Sequence, residues 1–210
     1  MKPFLRSDQF NFIKSQIQIV INGYATSNDP AVLSALTELT SEKVSLVCKM
    51  NEEQRQVIDK IAIVTDRAAA DEYLLQVQQY VIPFPNITAQ MIKKVFPKVK
   101  KLKRPDFENA DLKEISYVSW NDKGSNKRYM ITKYENKLLG LHGSFTSINK
   151  KGICAICNHH EELGMFVSKV KGSSIGTFTT KGNYICVDSQ KCNNNLTSMK
   201  KLHDFFEIHA

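Results

Sequence analysis

The first 82 residues have the hydrophobic pattern of amphipathic helices, because their apolar residues recur every three or four positions. The first helix is predicted to begin at Ser7 or Asp8, since either side chain can cap it. Gly23 and the polar run 26–28 are predicted to end it. Its apolar positions are Phe10, Ile13, Ile17, Val20 and Tyr24.

Polar capping residues mark the starts of three further predicted helices in this part of the chain. Asp29 precedes Pro30, which is the arrangement favoured at the N-cap and first helical positions. Asn51 and Thr65 are predicted to cap the other two helices. Short amphipathic helices with short connections predict a small antiparallel bundle over residues 1–82.

The stretch Pro83–Asn86 interrupts this pattern and predicts the boundary of a second domain, residues 83–210. Thr88 is predicted to cap one more helix over 89–96. Further along, β-branched and aromatic residues cluster between turn-forming residues, which predicts antiparallel strands. The predicted strands are 115–120, 129–134, 138–142, 165–170 and 175–180. The expected class is therefore α+β in two domains, a helical bundle followed by an α/β domain.

Four of the five cysteines form two pairs with a spacing typical of zinc fingers. Cys154 and Cys157 are two residues apart, and Cys186 and Cys192 enclose five residues. A C-x2-C turn places two thiolates on one side, so the second pair can complete a tetrahedron. A predicted hairpin between the pairs and a helix at the last ligand predict a treble-clef finger holding one zinc ion. The apolar positions of that helix are Leu196, Met199, Leu202, Phe205 and Phe206.

Other uses of paired cysteines fit this sequence less well. Disulfides are disfavoured in a chain expected in the cytoplasm, and a redox C-x2-C motif needs a βαβ setting that is not predicted here. Four thiolates close the coordination sphere, whereas a hydrolytic zinc keeps one position open for water. The zinc is therefore expected to serve structure.

The remaining cysteine and three histidines are predicted to lie outside the zinc site. His159 and His160 follow the first pair, and His203 lies in the final predicted helix. Each could replace a ligand, but we expect surface histidines because four thiols are available. Cys48 lies in a helical stretch and is predicted to be a packing residue.

Charge divides unevenly between the two predicted domains. Residues 1–82 carry 8 basic and 10 acidic side chains, and residues 83–210 carry 21 and 11, so the net charges are −2 and +10. Such asymmetry indicates that the basic domain meets an acidic partner, either nucleic acid or an acidic protein surface. The densest run, 93–104, is either a solvated face or a surface directed at a protein or ribosomal RNA. It includes Lys98, Lys100, Lys101, Lys103 and Arg104.

A smaller group of residues near the third cysteine has the composition of an interface. Lys181 and Tyr184 precede Cys186 on a predicted strand. Together with Phe205 they would form a patch of aromatic and cationic side chains, which is typical of binding hot spots. Periodicity alone, however, favours core packing for Phe205.

We find no sequence motif for catalysis. The chain has no Gly-rich phosphate loop, no H-E-x-x-H and no G-x-S-x-G, so it is not expected to be an enzyme. It also has no apolar run long enough for a signal peptide or a membrane span. A soluble cytoplasmic protein without a membrane partner or small-molecule substrate is expected.

Six motifs spread over nearly the whole chain give it a family resemblance. It resembles the FusB-type proteins, the elongation factor G-binding proteins that confer fusidic acid resistance. The order and spacing of the motifs carry the resemblance. They are QFNFI at 9–13, YVIPF at 80–84, KVFPKVKK at 94–101, SWN at 119–121, CAICN at 154–158 and KGNYIC at 181–186.

The resemblance implies a helical N-terminal domain and a treble-clef zinc domain that binds the C-terminal domains of elongation factor G on the ribosome. It further implies that the protein promotes release of that factor when fusidic acid traps it. Carried over by position, the partner-binding residues are Ile153, Lys181, Tyr184 and Phe205. Ile153 departs from the family's aromatic residue, so that contact is expected to be weaker or altered.

Two other functions remain open at this point. The first is a ribosome-associated RNA-binding zinc-finger protein, supported by the +10 domain and the lysine run. The second is an enzyme that acts on the antibiotic, for which the sequence offers no motif.

Overall fold

A computed structural model describes residues 1–99, 102, 111–172 and 176–210. The chain forms two compact units, Met1–Pro83 and Phe84–Ala210. The first is helical, and the second combines helices with one antiparallel sheet. The α+β, two-domain class is therefore confirmed. Among the described residues, no helix is both long and apolar enough to cross a bilayer.

The first unit contains four α-helices around one apolar core. The backbone of Leu5 pairs with that of Val81, which joins the two ends of the unit. The core includes Ile13, Ile17, Val44, Ile58 and Val77, all fully buried. The helices are α1 (Ser7–Thr26), α2 (Pro30–Val47), α3 (Glu52–Ile58), which continues as a 3-10 turn (Asp59–Ile63), and α4 (Arg67–Gln78).

Capping side chains begin two of these helices as predicted. The Asp29 carboxylate accepts a hydrogen bond from the backbone N–H of Ala31 at 2.9 Å, with Pro30 at the first helical position. The Asn51 side chain accepts one from Gln54 at 2.9 Å. Both predictions are confirmed. Such caps can be predicted from sequence because a cap acts only on the next few residues.

The predicted caps of α1 and α4 are wrong by one or two residues. α1 already includes Ser7 and Asp8, and its N-cap is Arg6. The Asp8 carboxylate instead pairs with the Arg6 guanidinium at 2.8 Å. α4 is capped by Asp66 and not by Thr65, because the Asp66 carboxylate reaches the Ala69 N–H at 2.9 Å.

The second unit is built on a five-stranded sheet whose strands follow one another in chain order, each antiparallel to the next. The predicted meander is therefore confirmed, and it includes the hairpin between the cysteine pairs. Its elements are α5 (Ala89–Val95), a 3-10 turn (Leu112–Glu114), β1 (Tyr117–Asp122), β2 (Lys127–Tyr134), β3 (Lys137–Ile153), β4 (His160–Lys171), β5 (Phe178–Cys186), α6 (Ser189–Asn195) and α7 (Met199–His209).

Both faces of β2 are covered, since five consecutive residues from Arg128 to Thr132 are buried. Tyr129 and Ile131 belong to the core that contains α5 residues. Met130 faces the other way, into the core formed with the cysteines, α6 and α7. Strand alternation thus places α5 on one side of the sheet and the cysteine cluster on the other.

Several element boundaries differ from the predictions: those of β1, β2 and β4 by up to five residues, and those of β3 and the last strand by more. β3 extends 11 residues beyond the predicted 142, to Ile153. The last strand is Phe178–Cys186, which ends six residues later than predicted and runs directly into Cys186. Residue 175, the predicted start, lies outside the described residues. The single final helix is also two helices, because α6 ends at Asn195 and the Ser198 side chain caps α7 anew.

Candidate metal centre and partner-binding surface

The first cysteine pair lies in the tight turn between β3 and β4. The Cys154 N–H donates to the His159 carbonyl at 3.0 Å, and the Asn158 N–H donates to the Cys154 carbonyl at 2.9 Å. Asn158 has a left-handed φ of 61°, a conformation that asparagine tolerates. These bonds close the turn, and the Ile156 N–H points at the Cys154 sulfur from 3.4 Å.

The second pair comes from the end of β5 and from α6. Cys186 is the last residue of β5, and its N–H also points at the Cys154 sulfur, from 3.4 Å. Cys192 lies within α6, whose first turn is capped by the Asp188 carboxylate. The strand and the helix therefore each deliver one sulfur to the turn that holds the first pair.

The four sulfur atoms have the spacing of a tetrahedral zinc site. All lie within 4.8 Å of one another, with 3.8 Å between Cys154 and Cys192 and 3.7 Å between Cys157 and Cys186. Four ligands at about 2.3 Å from a central ion are about 3.8 Å apart. A disulfide would require about 2.05 Å, and all five cysteines are free.

The four sulfurs can all be ionised only if a cation lies between them. A hydrogen bond from the Cys157 thiol lowers the pKa of Cys154, whereas the hydrogen bond with Cys154 raises the pKa of Cys192. Four buried thiols this close cannot all ionise without a positive charge between them. A zinc ion bound by four thiolates supplies that charge, so the residues fit the metal.

The histidines and Cys48 lie where the sequence predicted. The cysteine cluster includes no histidine. His159 and His160 are exposed, and the His203 ring packs edge-on against Tyr134. Cys48 is buried in the core of the first unit, and burial raises the pKa of its thiol to about 11. Its role is packing.

The predicted partner-binding residues occupy very different environments. Ile153 is 58% exposed at the end of β3, and Tyr184 is 46% exposed on β5. Lys181 is exposed on the same strand. Phe205 is only 3% exposed, and its ring packs against Phe166 and His209.

Lys181 and Tyr184 project from opposite faces of the sheet, because they are three residues apart on one strand. Lys181 pairs with the buried Ser168 on the face covered by α7, and Tyr184 pairs with Met165 on the other face. β5 is an edge strand of the sheet. A single partner surface that contacts both side chains must therefore span this edge.

The predicted basic run can be located only in part. Lys93, Lys94 and Lys98 are exposed at the end of α5 and just beyond it. Lys100, Lys101, Lys103 and Arg104 lie outside the described residues.

Sequence reasoning missed the residues that fasten the cysteine cluster to the sheet. The buried Asn193, next to Cys192, accepts hydrogen bonds from the N–H groups of Ser116 and Tyr117 at 2.7 and 3.1 Å. Its amide donates to the carbonyls of Tyr117 and Ser189, both at 2.9 Å. An asparagine 76 positions away carries no signal of this contact in the sequence.

Comparison with known proteins agrees with this geometry. Residues 4–85 match the family described as elongation factor G-binding protein, N-terminal, and residues 87–207 match the FBP C-terminal treble-clef zinc-finger. The solved structure of the fusidic acid resistance protein FusC is 30% identical to this chain. It aligns over 98% of this chain and 97% of FusC with a TM-score of 0.83. No curated protein matches.

The two matches together account for nearly the whole chain, and the second is a zinc-binding fold. The cofactor is one zinc ion, as the cysteine spacing predicted. The treble-clef prediction is confirmed as well. The chain belongs to the elongation factor G-binding protein family.

Proposed function

We propose that this protein binds elongation factor G and promotes its release from the ribosome, and so protects translation from fusidic acid. Family membership over residues 4–85 and 87–207 is the observation that carries this proposal. The similarity to FusC, a fusidic acid resistance protein, supports the link to the antibiotic. On this proposal the chain is a binding protein and its zinc is structural.

The zinc would be held by Cys154, Cys157, Cys186 and Cys192, whose sulfurs have tetrahedral spacing. The ion would lock the β3–β4 turn against the end of β5 and α6. No catalytic position is needed at such a site, because four thiolates fill the coordination sphere.

The partner would contact the zinc domain around the edge of β5. Tyr184 and Lys181 offer an aromatic ring on one face and a cation on the other, and Ile153 offers an exposed apolar side chain at the adjoining turn. The buried Phe205 would act indirectly, by holding α7 against β4. The C-terminal domains of elongation factor G are the proposed docking site.

Release of a trapped factor requires a preference between its conformations. A protein that binds the departing form of elongation factor G more tightly than the ribosome-held form shifts the equilibrium toward release. A preference of about 1.4 kcal/mol gives a tenfold shift. Equal affinity for both forms of the factor would give no shift toward release.

Two measurements test the proposal. The purified protein should co-elute with elongation factor G of the same organism, with and without nuclease. Added to ribosomes carrying fusidic acid and the trapped factor, it should increase the rate at which the factor dissociates. Absence of a complex would refute the binding proposal, and a complex without faster dissociation would refute release.

The second candidate is an RNA-binding zinc protein, favoured by the exposed Lys93, Lys94 and Lys98 and by the +10 charge of residues 83–210. Such a protein would bind ribosomal RNA without the factor. Its affinity would fall steeply between about 50 and 200 mM salt, and nuclease would abolish its association with ribosomes.

A further inference from the structure

One charged residue in the sheet is buried without a carboxylate partner. Arg128 on β2 is 4% exposed, and none of the ion pairs formed by the described residues includes it. Removing an unpaired cation from water is strongly unfavourable. An arginine guanidinium stays protonated in proteins, so Arg128 is a cation. A compensating negative charge must lie nearby.

The hydrogen bonds of Arg128 direct it toward the second cysteine pair. Its Nη1 donates to the carbonyl of Cys186 at 2.9 Å, and its Nη2 donates to the carbonyl of Val187 at 3.0 Å. Its Nε donates to the Asn121 side chain at 2.9 Å. The guanidinium lies 3.4 Å from the centre of the Phe145 ring, which fixes its plane. The guanidinium thus holds two consecutive backbone carbonyls, those of Cys186 and Val187.

The negative groups that act on Arg128 are those of the cysteine cluster and its surroundings. They are Cys192, Cys186 and Asp188. The Asp188 carboxylate is engaged with the first turn of α6. Tyr117 is fully buried and hydrogen-bonds through its side chain to Cys192. The thiolates remain as the main source of countercharge, since four thiolates on a divalent ion carry a net charge of −2.

We propose that Arg128 is the buried counter-ion of the zinc–thiolate centre and a positioning residue for Cys186. Its positive charge offsets part of the net −2 charge of the zinc–thiolate centre. Its two Nη groups fix the carbonyls of Cys186 and Val187, which set the direction of the third ligand, Cys186. Tyr117 supports the fourth ligand, Cys192, from the neighbouring strand. The β1–β2 hairpin thereby forms the outer shell of a site whose four ligands all lie elsewhere.

Zinc release from the full-length protein tests this role. Removal of outer-shell partners typically reduces metal affinity 10–100-fold. We expect Arg128→Met to release zinc to excess chelator 10–100-fold faster than wild type. Arg128→Lys keeps the positive charge but lacks the two Nη donors. Its rate of zinc release should therefore lie between those of wild type and Arg128→Met. Arg128→Gln keeps a hydrogen-bond donor but removes the charge. It replaces Arg128→Met in the zinc-release measurement if the Met variant does not fold.

Thr132→Val is the matched control. Thr132 is buried on the same strand, and its hydroxyl donates to the Ser116 carbonyl at 3.1 Å, so its loss weakens the hairpin without touching the cysteines. We expect this variant to lower Tm but to release zinc at the wild-type rate. Release by Thr132→Val as fast as by the Arg128 variants would overturn the proposal, because hairpin stability alone would then explain the effect.

A spectroscopic measurement separates charge from stability. In the cobalt-substituted protein, removing a nearby cation raises the energy of the sulfur electrons. The thiolate-to-cobalt charge-transfer band of Arg128→Gln should therefore shift to longer wavelength, whereas that of Thr132→Val should not move. Unchanged bands together with wild-type zinc release in the Arg128 variants would refute the proposal.

Discussion

The backbone carbonyl of Tyr184 accepts a hydrogen bond from the N–H of Ala155 at 2.9 Å. This bond joins the strand that carries the proposed partner-binding residues to the turn between the first two cysteines. Ala155 is next to Cys154, and Tyr184 is two residues before Cys186, so a zinc ligand lies within two residues on each side of this bond. We therefore expect zinc binding to order the strand that carries the proposed partner-binding residues.

Loss of one ligand should unfold the second unit. We expect Cys157→Ser to lose zinc, because a structural zinc contributes about 10 kcal/mol or more to folding. Zinc content and limited proteolysis of residues 84–210 would show the change. Cys48→Ala is the control, since Cys48 lies in the first unit, and it should keep its zinc. A folded, zinc-loaded Cys157→Ser would contradict the ligand assignment.

Truncation of Tyr184 should weaken partner binding without loss of zinc. We expect Tyr184→Ala to cost roughly 1–3 kcal/mol in binding to elongation factor G, as is usual for an aromatic hot spot. Calorimetric titration would measure it. Tyr134→Ala is a matched control, because Tyr134 is also 46% exposed but lies on β2. Equal losses in both variants would argue against a specific role for Tyr184.

Lys181 should act mainly on the rate of association. An exposed interface charge steers encounter more than it holds the complex, so Lys181→Ala should lower the association rate constant at low salt and matter less at high salt. Stopped-flow measurements at two ionic strengths would test this. Lys137→Ala, also an exposed lysine, should have little effect. A salt-independent defect would place Lys181 in a different role.

Substitutions of Phe205 distinguish a role in core packing from direct contact with the partner. Its ring is buried among Phe166, Phe206 and His209, so Phe205→Ala should destabilise the second unit by about 3–5 kcal/mol. Phe205→Leu should keep most of the stability. If Phe205→Leu folds like wild type yet loses partner binding, the ring itself takes part in the interface.

His209 should make stability depend on pH. Burial lowers its pKa, and the positive charge of Lys181 lowers it further. The neutral ring is favoured in the fold, with Nδ1 2.8 Å from Ser168 Oγ and Nε2 2.8 Å from Asn183 Oδ1. The stabilisation is complete above the ordinary histidine value of about 6.5 and is lost as pH falls through the lowered pKa.

Thermal melts from pH 7.5 to 5.5 at constant zinc content would measure this effect. His209→Gln should be less stable at pH 7.5, and the difference from wild type should shrink toward pH 5.5. His142 also has a lowered pKa, from burial and then Lys127, but it is present in both proteins and cancels. A difference that stays constant with pH would contradict the prediction.

The features that were predictable from the sequence are those set by near neighbours. The caps at Asp29 and Asn51 act within three residues, and the C-x2-C spacing of Cys154 and Cys157 is itself a turn. The periodicity of the final segment also placed Phe205 in the core, where it lies.

Long-range contacts could not be predicted in this way. Arg128 meets Cys186 across 58 positions and Asn193 meets Tyr117 across 76, and neither residue type signals burial. The predicted strand 175–180 ended six residues before the end of β5, because Gly182 and Asn183 are poor strand formers, although the pairing with β4 includes both. Lys181 and Tyr184 were predicted to form one patch, although residues three apart on a strand point to opposite faces.

The chain-order arrangement of the sheet has a consequence for the kinetics of folding. Each strand pairs only with its neighbours along the chain, so hairpins can form one after another without distant segments meeting first. The metal site is different, because Cys154 and Cys192 are 38 positions apart with the β4–β5 hairpin between them. Zinc should therefore bind late, once transient hairpins have brought the two cysteine pairs together, and the rate of the final refolding phase should rise with zinc concentration.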